Sequence, residues 1–175
     1  MDVIEAIKSR RSIRSYKKED VSDEDLNKIL EAATWAPSAG NLNPWEFIVI
    51  KDEENKKKLS EAALEQYFIS EAPVVVVVCA NVTRTSSVYG ERGKRLYCIQ
   101  DCAAATQNLL LAAHSLGYGT CWVGAFDDQE VAKLLKLPSN VVPLAIVPIG
   151  KPKEKPVTPR RLPLSKVVHY ETFNG

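Results

Sequence analysis

Histidine is scarce in this chain, two residues in 175, and neither sits in a pattern that makes it a catalytic base. His114 lies in an apolar segment and His169 near the C-terminus, so packing is the first reading of each and catalysis the second. Gly-x-Ser-x-Gly, His-Glu-x-x-His and a phosphate loop ending in Gly-Lys-Ser/Thr are all missing, which removes the hydrolase, metalloprotease and nucleotide-hydrolysing readings they carry. Charge of one sign is missing as well. The 23 Lys and Arg against 22 Asp and Glu leave a formal charge of +1, so no global field draws nucleic acid or an anionic membrane, and any anion recognition must be local. No stretch approaches the roughly 18 apolar residues of a membrane span. The longest, Pro73 to Ala80, is strand-sized. The opening Met1-Asp2-Val3-Ile4-Glu5 lacks the charged-then-apolar order of a leader, and the expected compartment is the cytoplasm.

Cysteine is sparse too, and Cys79, Cys98, Cys102 and Cys121 all fall in segments read as core elements, which suits reduced, buried thiols. Cys98 and Cys102 are one helical turn apart, which leaves packing and a metal site both open. Packing leads, because metal sites usually draw on short loop-borne Cys pairs with further ligands nearby, and no metal is expected.

What is present describes an ordinary soluble domain, 45% hydrophobic and 26% charged, of a length that suits one domain over 1–175. Val3, Ile4 and Ile7 share a helical face in a first helix over 2–9. Ser22 followed by Asp23, Glu24 and Asp25 reads as an N-cap with an acidic first turn, opening a helix that Pro37 ends. A turn-rich loop, Pro37 to Trp45, leads into a strand at 46–50. Asp52 caps a helix expected to run to about Ser70. The β-branched run Val74 to Cys79 predicts a strand buried on both faces. Residues 81–93 show no period and are expected to be a loop. From about 96 to 116 the chain is apolar nearly all round, as in a helix at the centre of a fold or in an interface, and Gly117 stops it. Strands at 118–123 and 144–149 flank a short helix capped by Asp127. Beyond Gly150 come Pro152, Pro156, Pro159 and Pro163, which predict an extended arm, and 167–173 regains the alternation of a strand. Such an arm suits pairing with a partner subunit.

The densest charge feature is Arg10-Arg11-Ser12-Ile13-Arg14. Three permanently charged, forked guanidiniums in five residues repel one another unless an anion or carboxylates lie against them. A solvated basic patch and an anion site are both compatible with the pentapeptide alone. Gly117, Gly119 and Gly124 follow a helix and enter a strand, the reverse of the order a dinucleotide fingerprint needs. Without an acid, base or nucleophile constellation, an enzyme built from this chain must borrow its chemistry from a cofactor, and the arginines suggest one that carries phosphate.

Four blocks then line up in order: Arg10-Arg11-Ser12-Ile13-Arg14-Ser15-Tyr16, Ala36-Pro37-Ser38-Ala39-Gly40-Asn41-Leu42-Asn43-Pro44-Trp45, Gly117-Tyr118-Gly119-Thr120-Cys121-Trp122-Val123-Gly124 and Arg161-Leu162-Pro163. Together they resemble the successive motifs of the FMN-dependent nitroreductase family. The resemblance implies an α+β, three-layer sandwich with a mixed, mainly antiparallel sheet flanked by helices. It also implies an intertwined homodimer, with FMN in the interface and 151–175 exchanged with the partner subunit. Arg10, Ser12 and Arg161, with Arg11 partly through its backbone, would hold the phosphate and ribityl chain. Arg14 would lie by the pyrimidine edge of the ring and stabilise its reduced, anionic form. Gln66 would bond the ring edge. Pro37, Ser38 and Asn41 would come from the partner, and Val123 and Gly124 would present backbone to the ring, glycine allowing close approach.

More local readings stand beside these: Ser12 as a turn cap, Trp45 as core rather than stacking platform, Gln66 as a solvated helix residue. Asn43 replaces the glutamine common before Pro-Trp, and the chain leaves little room for the helical excursion that larger members place over the flavin. The acceptor pocket is therefore expected to be open or covered by 81–93. The implied activity is ping-pong: NAD(P)H reduces FMN, and a small aromatic acceptor such as a nitroaromatic, quinone or flavin reoxidises it, with no catalytic side chain nominated. An FMN carrier or sensor, and specialised flavin chemistry on the same fold, are the alternatives.

Overall fold

The computed structural model describes residues 1–173, so the last two residues of the arm, 174 and 175, lie outside the described residues. Each early helix begins where a short polar side chain satisfies the first free N–H groups. Asp2 accepts from Ile4 and Glu5 to open α1, Val3–Ser9, and Ser22 accepts from Asp25 to open α2, Asp23–Thr34. The strand β1, Trp45–Ile50, is followed by α3, Glu53–Ala62, capped by Asp52, and by one helical turn, α4, Phe68–Glu71.

The five consecutive valines of β2, Val74–Asn81, form the centre of the molecule. This strand pairs antiparallel with β1 on one side and with β4, Val141–Gly150, on the other. The sheet order is β1-β2-β4-β3, where β3 is only Gly119–Thr120, and all its ladders are antiparallel. The parallel component is the isolated bridge Ser12↔Thr120. A bulge between Val78 and Cys79 lets the β4 ladder pass Pro143, which has no N–H to give.

Alternation along β2 divides the core into two layers. Val74, Val76, Val78 and Ala80 meet α2 and the long helix α6, Cys98–Ser115, through Ile29, Ala33, Ala105 and Leu109. Val75, Val77 and Cys79 meet Leu59 of α3, Ile69 of α4 and Val131 of α7, Asp128–Leu134, which Asp127 caps. With β2 valines at 0–1% exposure, each side chain contributes up to about 1.5–3 kcal/mol of hydrophobic stabilisation. The result is the expected α+β three-layer sandwich. The four cysteines are free and buried, and burial pushes the Cys79 thiol up to about 12. Among the described residues no helix is long and apolar enough to cross a membrane.

The structure corrects four sequence expectations. The helix expected from Asp52 to Ser70 ends at Ala62, because Leu64 (φ 57°) and Glu65 (φ 60°) are both left-handed and turn the chain. Residues 81–93 are not a loop: Val82–Arg92 is a helix, α5, broken at Gly90 (φ 56°, ψ −140°), a conformation essentially reserved for glycine. A π-helical turn, Gly93–Tyr97, joins it to α6. The strand expected at 118–123 is cut to β3 plus a single bridge, Val123↔Ile146. The strand expected at 167–173 does not form in the single chain, where Leu164–Lys166 makes a 3-10 turn and Val167, Tyr170 and Phe173 remain exposed. Extended backbone needs a ladder partner, and among the described residues no strand pairs with this segment.

Candidate functional site

Arg10 caps the end of α1 and leads directly into a segment that runs along the β3 edge. Ile13 N–H donates to Thr120 O at 2.9 Å, and Ser12 bridges Thr120. Gly119 is required for this approach, since a Cβ there would sit 2.6 Å from Ile13 Cγ1. The arm then returns along the same segment: Lys17 N–H donates to Lys151 O, Lys153 N–H to Ser15 O, and Arg14 N–H to Glu154 Oε1 at 2.5 Å. Arg11 donates through Nη2 to Thr158 Oγ1 at 2.8 Å.

These contacts bring Arg161, far downstream in the chain, against the N-terminal arginines. Arg10, Arg11, Ser12, Arg14 and Arg161 line one cleft of about 270 Å³. Among the described residues no acidic side chain forms an ion pair with any of these arginines. Burial, then the charges of Arg11 and Arg161, pull the Arg10 guanidinium below its ordinary pKa. Thr120 Oγ1, on the strand that Ser12 bridges, is buried with no hydrogen-bond partner. Forked cations that repel one another, Arg10 and Arg11 partly buried and Arg14 and Arg161 exposed, suit a phosphate, whose oxygens accept several charge-assisted bonds at once. Such a cleft could hold an anionic group of that kind.

The other expected site residues fall in two further groups. Gln66 is not a helix residue. It sits in the turn after α3, and its Nε2 donates to Ala63 O (2.8 Å) and Ala125 O (3.0 Å), tying that turn to the segment holding Val123 and Gly124. Val123 is buried and exchanges backbone bonds with Ile146, whereas Gly124 is exposed, and a Cβ at that position would meet nothing nearer than Trp122 Nε1 at 3.9 Å. Nothing within the chain demands a glycine there. Arg14 belongs to the arginine cleft, and its guanidinium carbon lies 5.9 Å from the ring centroid of Phe68 in α4.

Pro37, Ser38 and Asn41 form the third group, in the loop before β1. No hydrogen bond or shared cleft among the described residues links them to the arginines. Trp45 is core at 7% exposure. Sequence reading missed Glu154, Thr158 and Thr120, whose roles depend on the path of the arm, and the contact between Ser9 Oγ and His114 Nε2 at 2.7 Å. Burial, then the charges of Arg10 and Arg11, hold His114 below its ordinary pKa.

Known proteins resemble this chain in sequence and in fold. A model of the nitroreductase family matches residues 7–81 and 62–151. The chain is 40% identical to a Methanothermobacter thermautotrophicus protein whose name includes NAD(P)H nitroreductase, over 95% of this chain and 88% of that one. It is 36% identical to a Bacillus subtilis protein named as an NAD(P)H FMN reductase, over 98% and 74% of the two chains. Among solved structures, the NADPH:FMN oxidoreductase of Vibrio harveyi, complexed with NAD+, superposes with a TM-score of 0.90 at 29% identity, over 97% of this chain and 77% of that one.

Proposed function

Because the chain belongs to the nitroreductase family, we propose that it is an FMN-dependent oxidoreductase drawing electrons from NAD(P)H. The observation that carries this reading is the convergence of Arg10, Arg11, Ser12, Arg14 and Arg161 on one cleft without an ion-pairing acid. Bound FMN would supply the chemistry, accepting hydride from NAD(P)H and passing electrons to a nitroaromatic, quinone or flavin in a ping-pong cycle. The side chains position and tune. Arg10, Ser12 and Arg161 hold the phosphate, and Arg11, whose fork is spent on Lys8 O, Arg10 O and Thr158, contributes backbone. Arg14 places a fixed cation at the ring edge, Gln66 offers its remaining amide oxygen, and Val123 and Gly124 present backbone where the absent Cβ admits a ring.

The proposal includes a homodimer. The α1 face of Val3, Ile4 and Ile7 is 50–64% exposed, and Leu162, Leu164, Tyr170 and Phe173 on the arm are 71–79% exposed. Such apolar area on elements flanking the cleft suits burial against a second copy, with the arm crossing to it and Pro37, Ser38 and Asn41 completing the partner's flavin site. One domain with an exchanged arm, acting in the cytoplasm, is the corresponding whole-chain reading. Anaerobic mixing of the FMN-loaded protein with NADH and with NADPH tests the activity. Bleaching of the flavin absorbance by at least one donor is expected. If neither bleaches it, the reductase reading fails and an FMN carrier or sensor takes its place.

A further inference from the structure

Asp101 is the one buried carboxylate among the described residues, 7% exposed on α6, whose other buried side chains are cysteine, alanine, leucine and a single threonine. Burial pushes its pKa up, so a carboxylate at this place is costly unless a specific contact uses it. Its Oδ1 accepts the backbone N–H of Ala39 at 3.1 Å, while Oδ2 is buried without a partner.

Ala39 belongs to the loop that carries Pro37, Ser38 and Asn41, and that loop is strained. Gly40 (φ 58°), Asn41 (φ 55°) and Asn43 (φ 47°) are all left-handed within four positions, two of them with side chains. Its internal bonds, Asn41 N–H to Ser38 O and Asn43 N–H to Ser38 Oγ, set its local shape but do not fix it to the body of the protein. Three hydrogen bonds do that. Arg84 donates to Asn43 O at 2.8 Å and Asn81 N–H to Pro44 O at 2.7 Å, both at the exit of the loop, and the Asp101 contact alone holds its entry. Tyr89 closes the outer side, its hydroxyl 2.7 Å from where a Gly40 Cβ would stand.

We propose that Asp101 is a positioning residue for the flavin site: by accepting the Ala39 N–H it clamps the entry of the 37–41 loop and holds its left-handed turn in the shape that meets FMN. This rests on the reading that Pro37, Ser38 and Asn41 contact the cofactor. The acceptor, not the charge, is the operative property, because Oδ1 takes the bond in either protonation state. Loss of the clamp lets the loop relax and weakens cofactor binding without touching the arginine cleft.

The test uses the full chain, titrated with FMN and followed by quenching of flavin fluorescence, together with hydrogen exchange at the Ala39 amide in FMN-free protein. Asp101→Ala is expected to lose Ala39 protection and to raise the Kd for FMN about tenfold. Asp101→Asn keeps an acceptor and is expected to restore both. Ala39→Pro removes the donor from the other side. Ser38 is already extended (φ −142°, ψ 153°), as the residue before proline requires, and proline suits the first position of the short turn. Ala39→Pro is expected to weaken FMN as Asp101→Ala does, and the double variant to be no worse than either alone. This arm keeps the proposal testable if Asp101→Ala does not fold. FMN affinity unchanged in Ala39→Pro, additive losses in the double variant, or Asp101→Asn as poor as Asp101→Ala would each overturn the clamp. A wild-type protein that binds no FMN overturns the parent reading as well, whereas a yellow wild type with insensitive variants overturns only this one.

Discussion

Arg10 and Arg14 are four positions apart, yet the fold sends them to different surroundings. Arg10 is half-buried between Arg11 and Arg161, and Arg14 is exposed beside the Phe68 ring. In the proposed site the first would hold the phosphate and the second would face the ring. Arg14→Ala should therefore retain FMN but lower its midpoint potential, by about 30 mV if the cation contributes roughly 1.4 kcal/mol to the reduced form. Spectroelectrochemical titration reads this directly, and an unchanged potential would mean that Arg14 does not tune the ring. The arginines were legible in the sequence because a permanent charge cannot be neutralised by burial and a cluster of them asks for an anion. Thr120, Glu154 and Asp101 were not, since one threonine or carboxylate among many carries no signal until the chain path decides what it faces.

Among the elements, caps and β-branched runs were legible and irregular helices were not. Asp2, Ser22, Asp52 and Asp127 open helices through bonds within three residues, and five valines in a row have few other places to go. By contrast α5 is rich in Thr, Ser and Val, poor helix formers, and tertiary contacts hold it. Thr85 is fully buried, Arg84 reaches Asn43 O and Glu46, and Tyr89 meets Tyr97 edge-on at a ring-centroid distance of 5.2 Å. The turn at 64–65 was equally hidden, because neither residue is glycine and the Gln66 amide that fastens it bonds a segment 59 positions away. The junction of α5 and α6 depends on close backbone approach at Gly93, where a Cβ would lie 2.4 Å from Thr85 O. Gly93→Ala should destabilise the protein by about 2 kcal/mol, seen as a melting temperature lower by roughly 4–8 °C. A change under about one degree would show that the two segments are free to separate.

At the scale of the whole molecule, the arm is what unites the two ends of the sequence. Its first half returns along residues 14–17 and its second half leaves the chain with large apolar side chains exposed. Removing residues 156–175 should abolish FMN retention and shift the protein from dimer to monomer in size-exclusion chromatography with light scattering; a truncated protein that stays yellow and dimeric would contradict the exchanged arm. The decisive comparison is between FMN and riboflavin, the same ring and ribityl chain without the phosphate, as ligands of the wild type and of Arg10→Ala. Charge-assisted bonds from two arginines predict that the wild type prefers FMN by about 100-fold or more and that Arg10→Ala loses most of this preference while binding riboflavin as the wild type does. Equal affinity of the wild type for FMN and riboflavin would contradict the assignment of the arginine cleft as a phosphate site.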